Sequence, residues 1–411
     1  ALPDRRAPVT TEEREERATL LREAREAERA LGPFAFVTVP FEFTVLRDAF
    51  DVMGAPLVSG DSVVPLRFTT SDGLLTFNGK AYRGSLELAL DDAGDMIVVN
   101  TVRTADYLAS VVGAEVPYTW APEALAAQAI AARTYLRTHL GRHPAYDLEG
   151  DVRDQAYGGA GSEADSTVRA VERTAGLIAT YRGAPIEALY SANAGGATED
   201  SENVFPNALP YLRGVPSPLD QIADNSSWGK TSWEWTREMT VPQLRDFLAL
   251  RGIAVGTPLR IELAQVSPAG RVLRARIVGT EATREIGKDQ SRYYFGLRST
   301  LFTVERRPGG DVETVDYTGT DRIRALDALG AERLGAVYRR VIDADREAVD
   351  LRIVGWVYRS PARFVFSGRG FGHGVGLSQW GMQGMALQGA SAERILTHYY
   401  RGIALTDIGG P

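Results

Sequence analysis

The chain contains no cysteine, and this absence excludes several kinds of chemistry at once. Without thiols there are no disulfides, no thiolate nucleophile and no cysteine-based zinc site. The absence does not fix a compartment, because a protein of 411 residues can be exported without disulfides.

Long apolar runs are missing as well. No run approaches the ~18 residues that a membrane-spanning helix needs, so we expect no transmembrane segment. No secretory signal is visible either, but the chain opens with ALPDRR rather than with Met. A processed amino terminus or a shortened chain would both begin in this way, and both interpretations stay open.

Positive charge is scarce. The formal net charge is −7, and lysine occurs only at Lys80, Lys230 and Lys288. The arginines are scattered along the chain, which favours a coding bias over a binding surface. We therefore expect no extended positively charged surface that binds nucleic acid.

What is present is the composition of an ordinary globular protein, with 44% hydrophobic and 24% charged residues. The chain exceeds the roughly 250 to 300 residues at which one core stops growing, so two or three domains are expected. We predict an α+β fold with a charged helix within 1–33 and a β-rich region at 34–102. A mixed helix-and-strand core follows at 103–220 and 361–411, and a small α+β lobe is inserted at 221–360.

Local patterns predict the helices and strands. Apolar residues at helical spacing predict helices, and Pro122 suits the first position of the longest one. Alternating runs separated by turn residues predict strands. The predicted helices cover 11–31, 104–112, 122–140, 163–174, 242–252 and 321–341. The predicted strands include 95–102, 177–183, 185–193, 260–266, 271–279, 349–356 and 363–368.

A glycine-dense loop near the end of the chain is its most informative segment. Residues 364–383 read FVFSGRGFGHGVGLSQWGMQ, a strand, five alternating glycines and a helix. Such a loop lets a ligand approach the backbone closely. A dinucleotide site is excluded, because no strand with an acidic residue follows about 20 positions later. A P-loop is excluded, because the chain has no GxxxxGK[ST] motif.

Glu115 is the first candidate for chemistry. A carboxylate among Val111, Val112, Val116 and Trp120 would be partly desolvated, which raises its pKa and lets it donate a proton near neutral pH. The alternative is a surface glutamate at the end of a helix.

Three further stretches combine reactive side chains with turn residues. Gln155 and Tyr157 in RDQAYGG could bind a polar ligand, or could form a turn with a core aromatic residue. Ser191 and His373 could form a nucleophile and base, but no GxSxG elbow or third carboxylate supports a hydrolytic triad.

The remaining histidines give a weak metal signal. His139 and His143 have helical spacing, but Pro144 follows and there is no HExxH motif. We expect both near the last carbonyls of the long helix, and His398 in an aromatic cluster. We predict no metal and no other cofactor.

Taken together, these stretches resemble the SpoIID/LytB family. The order of AEVPYTWAPEALAAQAIAARTYL, YDLEGDVRDQAYGG, AVERTAGLIATYRGAPIEALYSANAGGATE and FSGRGFGHGVGLSQWGMQGMALQGASAERILTHYY carries the resemblance, from about 82 to 402. That family contains a peptidoglycan lytic transglycosylase of sporulation and enhancers of cell-wall amidase. Some relatives bind zinc through Cys and His before the QAY motif, which this chain cannot match because it has no Cys.

The resemblance implies an enzyme that cleaves the MurNAc–GlcNAc linkage without water and leaves a 1,6-anhydro sugar. Its catalytic glutamate falls on Glu115, and one carboxyl group can serve as acid and then base. The implied contacts to the glycan come from eight other residues. They are Gln155, Tyr157, Tyr190, Ser191, Asn193, His373, Ser378 and Gln379.

Two other interpretations remain beside the lytic transglycosylase. The cleft could hold glycan without cleaving it and activate a cell-wall amidase, or the chain could be a structural component of the envelope. The expected partners are peptidoglycan glycan strands, with an amidase or other envelope proteins as further candidates. The expected location is the bacterial cell envelope after export, in the periplasm or cell wall.

Overall fold

The computed structural model describes most of the chain. The described residues are 15, 19, 22, 26, 34–38, 66–70, 73–90, 96–151, 153–227, 229–309, 312–319, 351–358 and 361–409. The predicted helix at 11–31 lies outside this part apart from its four described residues, which are helical and exposed. The predicted helix at 321–341 lies outside it entirely.

Helices and strands alternate irregularly along the chain. The strands are β1 (Phe34–Thr38), β2 (Leu66–Phe68), β3 (Leu75–Phe77), β4 (Lys80–Tyr82), β5 (Ser85–Leu90), β6 (Met96–Arg103), β7 (Leu177–Tyr181), β8 (Ala184–Pro185), β9 (Tyr190–Ser191), β10 (Glu234–Thr240), β11 (Pro258–Val266), β12 (Val272–Gly279), β13 (Thr283–Gly287), β14 (Phe302–Arg307), β15 (Val312–Gly319), β16 (Leu351–Tyr358), β17 (Arg363–Arg369), β18 (Leu377–Ser378) and β19 (Ala404–Asp407).

The helices are distributed in the same irregular way. They are α1 (Thr104–Glu115), α2 (Pro122–His139), α3 (Asp165–Arg173), α4 (Ser201–Val204), α5 (Lys230–Trp233), α6 (Val241–Ala249), α7 (Gln290–Phe295), α8 (Gln379–Leu387) and α9 (Ala392–Tyr399), with 3₁₀ helices at Gly159–Ser162 and Pro218–Asn225. This mixture confirms the predicted α+β class.

The chain forms two compact units. The first unit comprises Ala1–Ser191, Leu209–Val215 and Val375–Pro411, and the second comprises Ala192–Ala208 and Pro216–Gly374. The four-part division predicted from the sequence stays a prediction.

Helix α2 is the centre of the first unit. Pro122 occupies its first turn, as predicted, and its alanine-rich middle is buried from Ala124 to Leu136. Alanine lets neighbouring backbones approach closely, and α2 packs against α1, α3, α8, α9 and β7.

Small sheets complete the first unit. Strands β1, β6, β5 and β2 form an antiparallel sheet in that order, and β19, β7 and β8 form another. Strands β9 and β18, which are far apart in the sequence, pair in parallel. This pairing brings the chain around 190 beside the chain around 378.

The second unit is built on three antiparallel sheets. Their orders are β10–β17–β14, β11–β12–β13 and β15–β16. The first two share an apolar core with α6 and α7, which includes Leu244, Ile277, Phe295, Phe302 and Phe366. The predicted strands at 260–266 and 271–279 and the turn between them are confirmed.

No helix in the described part of the chain is long and apolar enough to cross a membrane.

Candidate functional site

Glu115 is the last residue of α1 in the first unit. The helix ends there because Pro117 disfavours helical geometry at Val116, which is extended. A side chain at Gly113 would lie 1.9 Å from the carbonyl oxygen of Ser162, so only glycine lets the 159–162 turn pack against this end of α1. Glu115 itself is half-buried.

Three hydrogen-bond donors surround the Glu115 carboxyl group. The backbone N–H of Ala156 donates to Oε1 at 2.8 Å, and Nε2 of Gln379 donates to Oε2 at 3.1 Å. The hydroxyl of Tyr190 also bonds to the carboxyl. These donors come from the QAY loop, from the start of α8 and from β9, so three distant segments meet at one carboxyl group.

Burial raises the pKa of the Glu115 carboxyl above its ordinary value, and the three hydrogen bonds oppose this rise. No charged side chain of the described residues is among the causes that set this pKa. The desolvated carboxyl group expected from the sequence is therefore present, and a raised pKa suits a group that must first donate a proton.

A line of polar side chains lies behind Tyr190. Gln155 is fully buried; its Oε1 accepts from the Tyr107 hydroxyl at 3.1 Å, and its Nε2 donates to the Tyr190 hydroxyl at 2.9 Å. Burial raises the pKa of both tyrosines well above the ordinary value, so both hydroxyls keep their protons. The sequence analysis missed Tyr107, whose signal was its position on the same helix as Glu115.

The start of α8 is fixed beside this line. Tyr190 pairs with Leu377 and Ser191 with Ser378 in the parallel β9–β18 ladder, which sets Gln379 at the first turn of α8. Gly376 has φ +75°, and an added Cβ would lie 2.2 Å from the carbonyl oxygen of Leu189. This glycine therefore serves the close approach of two strands.

Aromatic packing holds the segment that follows Glu115. Trp120 and Trp380 meet edge to face with ring centroids 4.9 Å apart. The side chain of Gln383 accepts from the N–H of Ala121 at 3.0 Å, which ties α8 to the start of α2. Tyr118, between these contacts and Glu115, is 59% exposed, and its carbonyl accepts from the Ser166 hydroxyl at 2.6 Å.

Tyr157 lies in the core of the first unit. It is buried, its hydroxyl donates to Asn100 Oδ1 at 2.6 Å, and its ring packs on Tyr82 and Tyr107. These contacts are those of the core aromatic residue that the sequence analysis held as the alternative. A glycan contact from Tyr157 stays a prediction.

Asn193 and His373 belong to the second unit. The Asn193 side chain is fully buried; it donates to the Asp220 carbonyl at 3.1 Å and accepts from the Gly195 N–H at 2.8 Å. The half-buried His373 ring meets the edge of Phe205 at 5.3 Å. Asn193 thus shapes its loop, and the proposed pairing of Ser191 with His373 stays a hypothesis.

The glycine loop of the second unit rests on a buried arginine. Arg271 donates to the Ala194 carbonyl at 2.6 Å, and burial lowers the pKa of its guanidinium to about 10, against the opposing charges of Glu199 and Asp220. Gly374 has φ +73°, and an added Cβ would lie 2.0 Å from Arg271 Nη2. The sequence analysis missed Arg271, which appeared there only as one of many scattered arginines.

The other histidines have local partners in the first unit. His139 Nδ1 lies 2.8 Å from the Tyr135 carbonyl, near the end of α2 as expected, and the His143 ring stacks on Tyr146. His398 contacts the edge of Tyr399. Among the described residues no three His, Asp or Glu side chains gather as metal ligands would.

The first unit thus defines a class: an α+β domain in which a desolvated glutamate carboxyl group, that of Glu115, is held by amide and hydroxyl donors. The family model described as Stage II sporulation protein (SpoIID) matches residues 92–181, which include Glu115 and Gln155. A model of a domain of unknown function (DUF8618) matches 215–320, within which most of the second unit's strands lie. The SpoIID match and the names of the relatives support the SpoIID/LytB family for this chain.

Three relatives are similar to most of this chain. An uncharacterized protein of Brachyspira hyodysenteriae is 29% identical over 83% of this chain and 76% of its own length. Stage II sporulation protein D of Bacillus subtilis is 26% identical over 75% of this chain and 76% of its own length. The amidase enhancer of the same species is 28% identical over 84% of this chain but only 46% of its own length.

Proposed function

We propose that this protein is a peptidoglycan lytic transglycosylase with Glu115 as its single acid and base. The observation that carries the proposal is the Glu115 site, a carboxyl group with a burial-raised pKa and no charged partner among the described residues. The match to the SpoIID family model supports a cell-wall related function, because relatives carry sporulation and amidase-enhancer names.

The proposed reaction needs no water. Protonated Glu115 gives its proton to the glycosidic oxygen while the bond from that oxygen to MurNAc C1 breaks, so GlcNAc leaves as an alcohol. The MurNAc C6 hydroxyl then attacks C1 and gives its proton to the Glu115 carboxylate. The product is a 1,6-anhydroMurNAc end, and the carboxyl group returns to its starting form.

The surroundings of Glu115 suit both halves of this cycle. Burial favours the protonated acid that starts the reaction, whereas the N–H of Ala156, the amide of Gln379 and the hydroxyl of Tyr190 stabilise the carboxylate that follows. The proposed cycle uses one carboxyl group, whereas a hydrolytic glycosidase needs a second carboxylate, as nucleophile or to activate water.

Mass spectrometry of purified glycan strands after incubation with the protein tests the proposal. Anhydro ends are expected from the wild type. Turnover by Glu115→Gln should fall by about 10² or more, the usual size of acid and base catalysis. Glu172→Gln is the control, because it removes an exposed carboxylate from α3 of the same unit. Turnover by this variant should match that of the wild type. Reducing ends would indicate hydrolysis, and near-normal turnover in Glu115→Gln would remove Glu115 from the mechanism.

A second candidate function is activation of a cell-wall amidase without glycan cleavage. The amidase-enhancer relative, which aligns with 84% of this chain, favours it. Intact glycan strands, together with stimulation of a purified amidase by both the wild type and Glu115→Gln, would support this function. Either function requires contact with peptidoglycan, so we propose that the protein acts in the cell envelope after export.

A further inference from the structure

The polar line that ends at Glu115 begins at a buried residue, Tyr107, eight positions earlier on the same helix. The Tyr107 hydroxyl donates to Gln155 at 3.1 Å, and Gln155 donates to the Tyr190 hydroxyl at 2.9 Å. Tyr190 in turn bonds to the Glu115 carboxyl. We infer that Tyr107 is a positioning residue that fixes the proton affinity of Glu115 through Gln155 and Tyr190. The inference rests on the proposed function for its catalytic consequence only.

The direction of the hydrogen bonds carries this inference. A glutamine side chain accepts at its oxygen and donates at its nitrogen, whereas a tyrosine hydroxyl can do either. Because Tyr107 donates to the Gln155 oxygen, the Gln155 nitrogen faces Tyr190 and donates to its oxygen. The proton of Tyr190 is then directed at Glu115. Every donor in the line therefore points toward the carboxyl group.

Removing the Tyr107 hydroxyl should reverse this order. In Tyr107→Phe the Gln155 oxygen would lose its donor while remaining fully buried, which is costly. Rotation of the Gln155 amide satisfies that oxygen, because it then accepts the proton of Tyr190. Tyr190 would no longer donate to Glu115, so the carboxylate would lose one of its stabilising hydrogen bonds and its pKa would rise.

Few other titratable groups face this line. Tyr190 approaches Glu115 from β9, and the other two donors at the carboxyl are the uncharged Ala156 N–H and Gln379 amide. Asp154 and Tyr157 from the QAY loop and Tyr135 from α2 face Tyr107. Asp154 is already paired with Arg142 at 3.0 Å, so its charge is partly compensated.

Carbon-13 titration of the Glu115 carboxyl in the full chain measures the effect directly, with Glu115→Gln identifying the signal. Tyr107→Phe should raise the measured pKa by about half to one pH unit, the worth of one hydrogen bond. Tyr190→Phe should raise it as well. The double variant should match Tyr190→Phe alone, because Tyr107 acts only through Tyr190. In the pH profile of kcat/KM for glycan cleavage, the alkaline limb should move to higher pH by the same amount.

Tyr400→Phe is the matched control. Tyr400 is also fully buried in the first unit, but its hydroxyl donates to the Leu189 carbonyl at 2.9 Å rather than to the line. It should leave the pKa of Glu115 unchanged. Should Tyr107→Phe fold poorly, Gln155→Met tests the same mechanism, because it removes the amide oxygen that would accept the Tyr190 proton. Tyr190 then keeps donating to Glu115, so the pKa should stay near the wild-type value, and a rise of about half a pH unit or more would contradict the proposed reversal.

An unchanged pKa in Tyr107→Phe or in Tyr190→Phe, or an equal rise in Tyr400→Phe, would overturn the inference. The two variants could instead show the raised pKa while the wild type never yields anhydro ends. That result would contradict the proposed catalysis and leave the positioning role of Tyr107 intact. The two failures are therefore distinguishable.

Discussion

Glu115 owes its proposed chemistry to its surroundings. In the folded protein, burial raises its pKa above the ordinary value of 4.5. The folded state therefore binds this proton more tightly than the unfolded chain does. The resulting stabilisation is fully present below the unfolded pKa and is lost as the pH rises through the folded pKa.

Glu115→Gln should reveal this dependence, because glutamine does not ionise. The free energy of unfolding of the variant, relative to that of the wild type, should be higher at pH 8 than at pH 4. Urea unfolding of both proteins at the two pH values measures it, and Glu172→Gln serves as the exposed control. A difference between variant and wild type that is the same at both pH values would contradict the raised pKa.

At the scale of elements, the glycine loop of the second unit is held by packing against Arg271. Gly374→Ala should destabilise this unit, because alanine is strained at φ +73° and its Cβ would displace the buried guanidinium. The expected loss is about 2 kcal/mol or more, measured by chemical unfolding.

Gly252→Ala is the matched control for that loop. Gly252 lies in the same unit at φ +81°, but nothing lies within 4 Å of its added Cβ, so it should show the backbone strain alone. Equal losses in the two variants would mean that the contact between Gly374 and Arg271 contributes nothing.

The segment between α1 and α2 carries an exposed aromatic ring at Tyr118, three residues after Glu115. A hydrogen bond from Ser166 fixes its backbone, and aromatic faces stack well on sugars. Tyr118→Ala should weaken binding of glycan strands to the inactive Glu115→Gln protein by about tenfold, the worth of one stacked ring. Tyr293→Ala, which removes a comparably exposed tyrosine (61%) of the second unit, should not. Unchanged affinity in Tyr118→Ala would place the sugar elsewhere.

For the whole molecule, we predict that activity is independent of divalent metal. The chain has no cysteine, and its described His, Asp and Glu side chains form no cluster of three. Exhaustive chelation should leave glycan cleavage and thermal stability unchanged. Loss of cleavage that added zinc restores would overturn this prediction and indicate a metal-activated water.

The α+β class, the family and most elements could be predicted from the sequence, because they depend on local spacing. Helix α2 was predicted to within one residue, since Pro122 and the alanine-rich face mark its start and its packing. The family followed from motifs that keep their order along the chain. The apolar residues around Glu115 made it a candidate, and the resemblance to the family implied its catalytic role.

Only the tertiary structure decided what those residues contact. The parallel pairing of β9 with β18 joins segments nearly 190 positions apart and sets Gln379 and Tyr190 on one carboxyl group. The tertiary structure also shows that Tyr157 and Asn193 form internal hydrogen bonds. It shows that Tyr107 bonds to Gln155 and that Arg271 bonds to the Ala194 carbonyl beside the glycine loop. No local pattern encodes these contacts, because the direction of a buried hydrogen bond depends on which distant side chain folds against it.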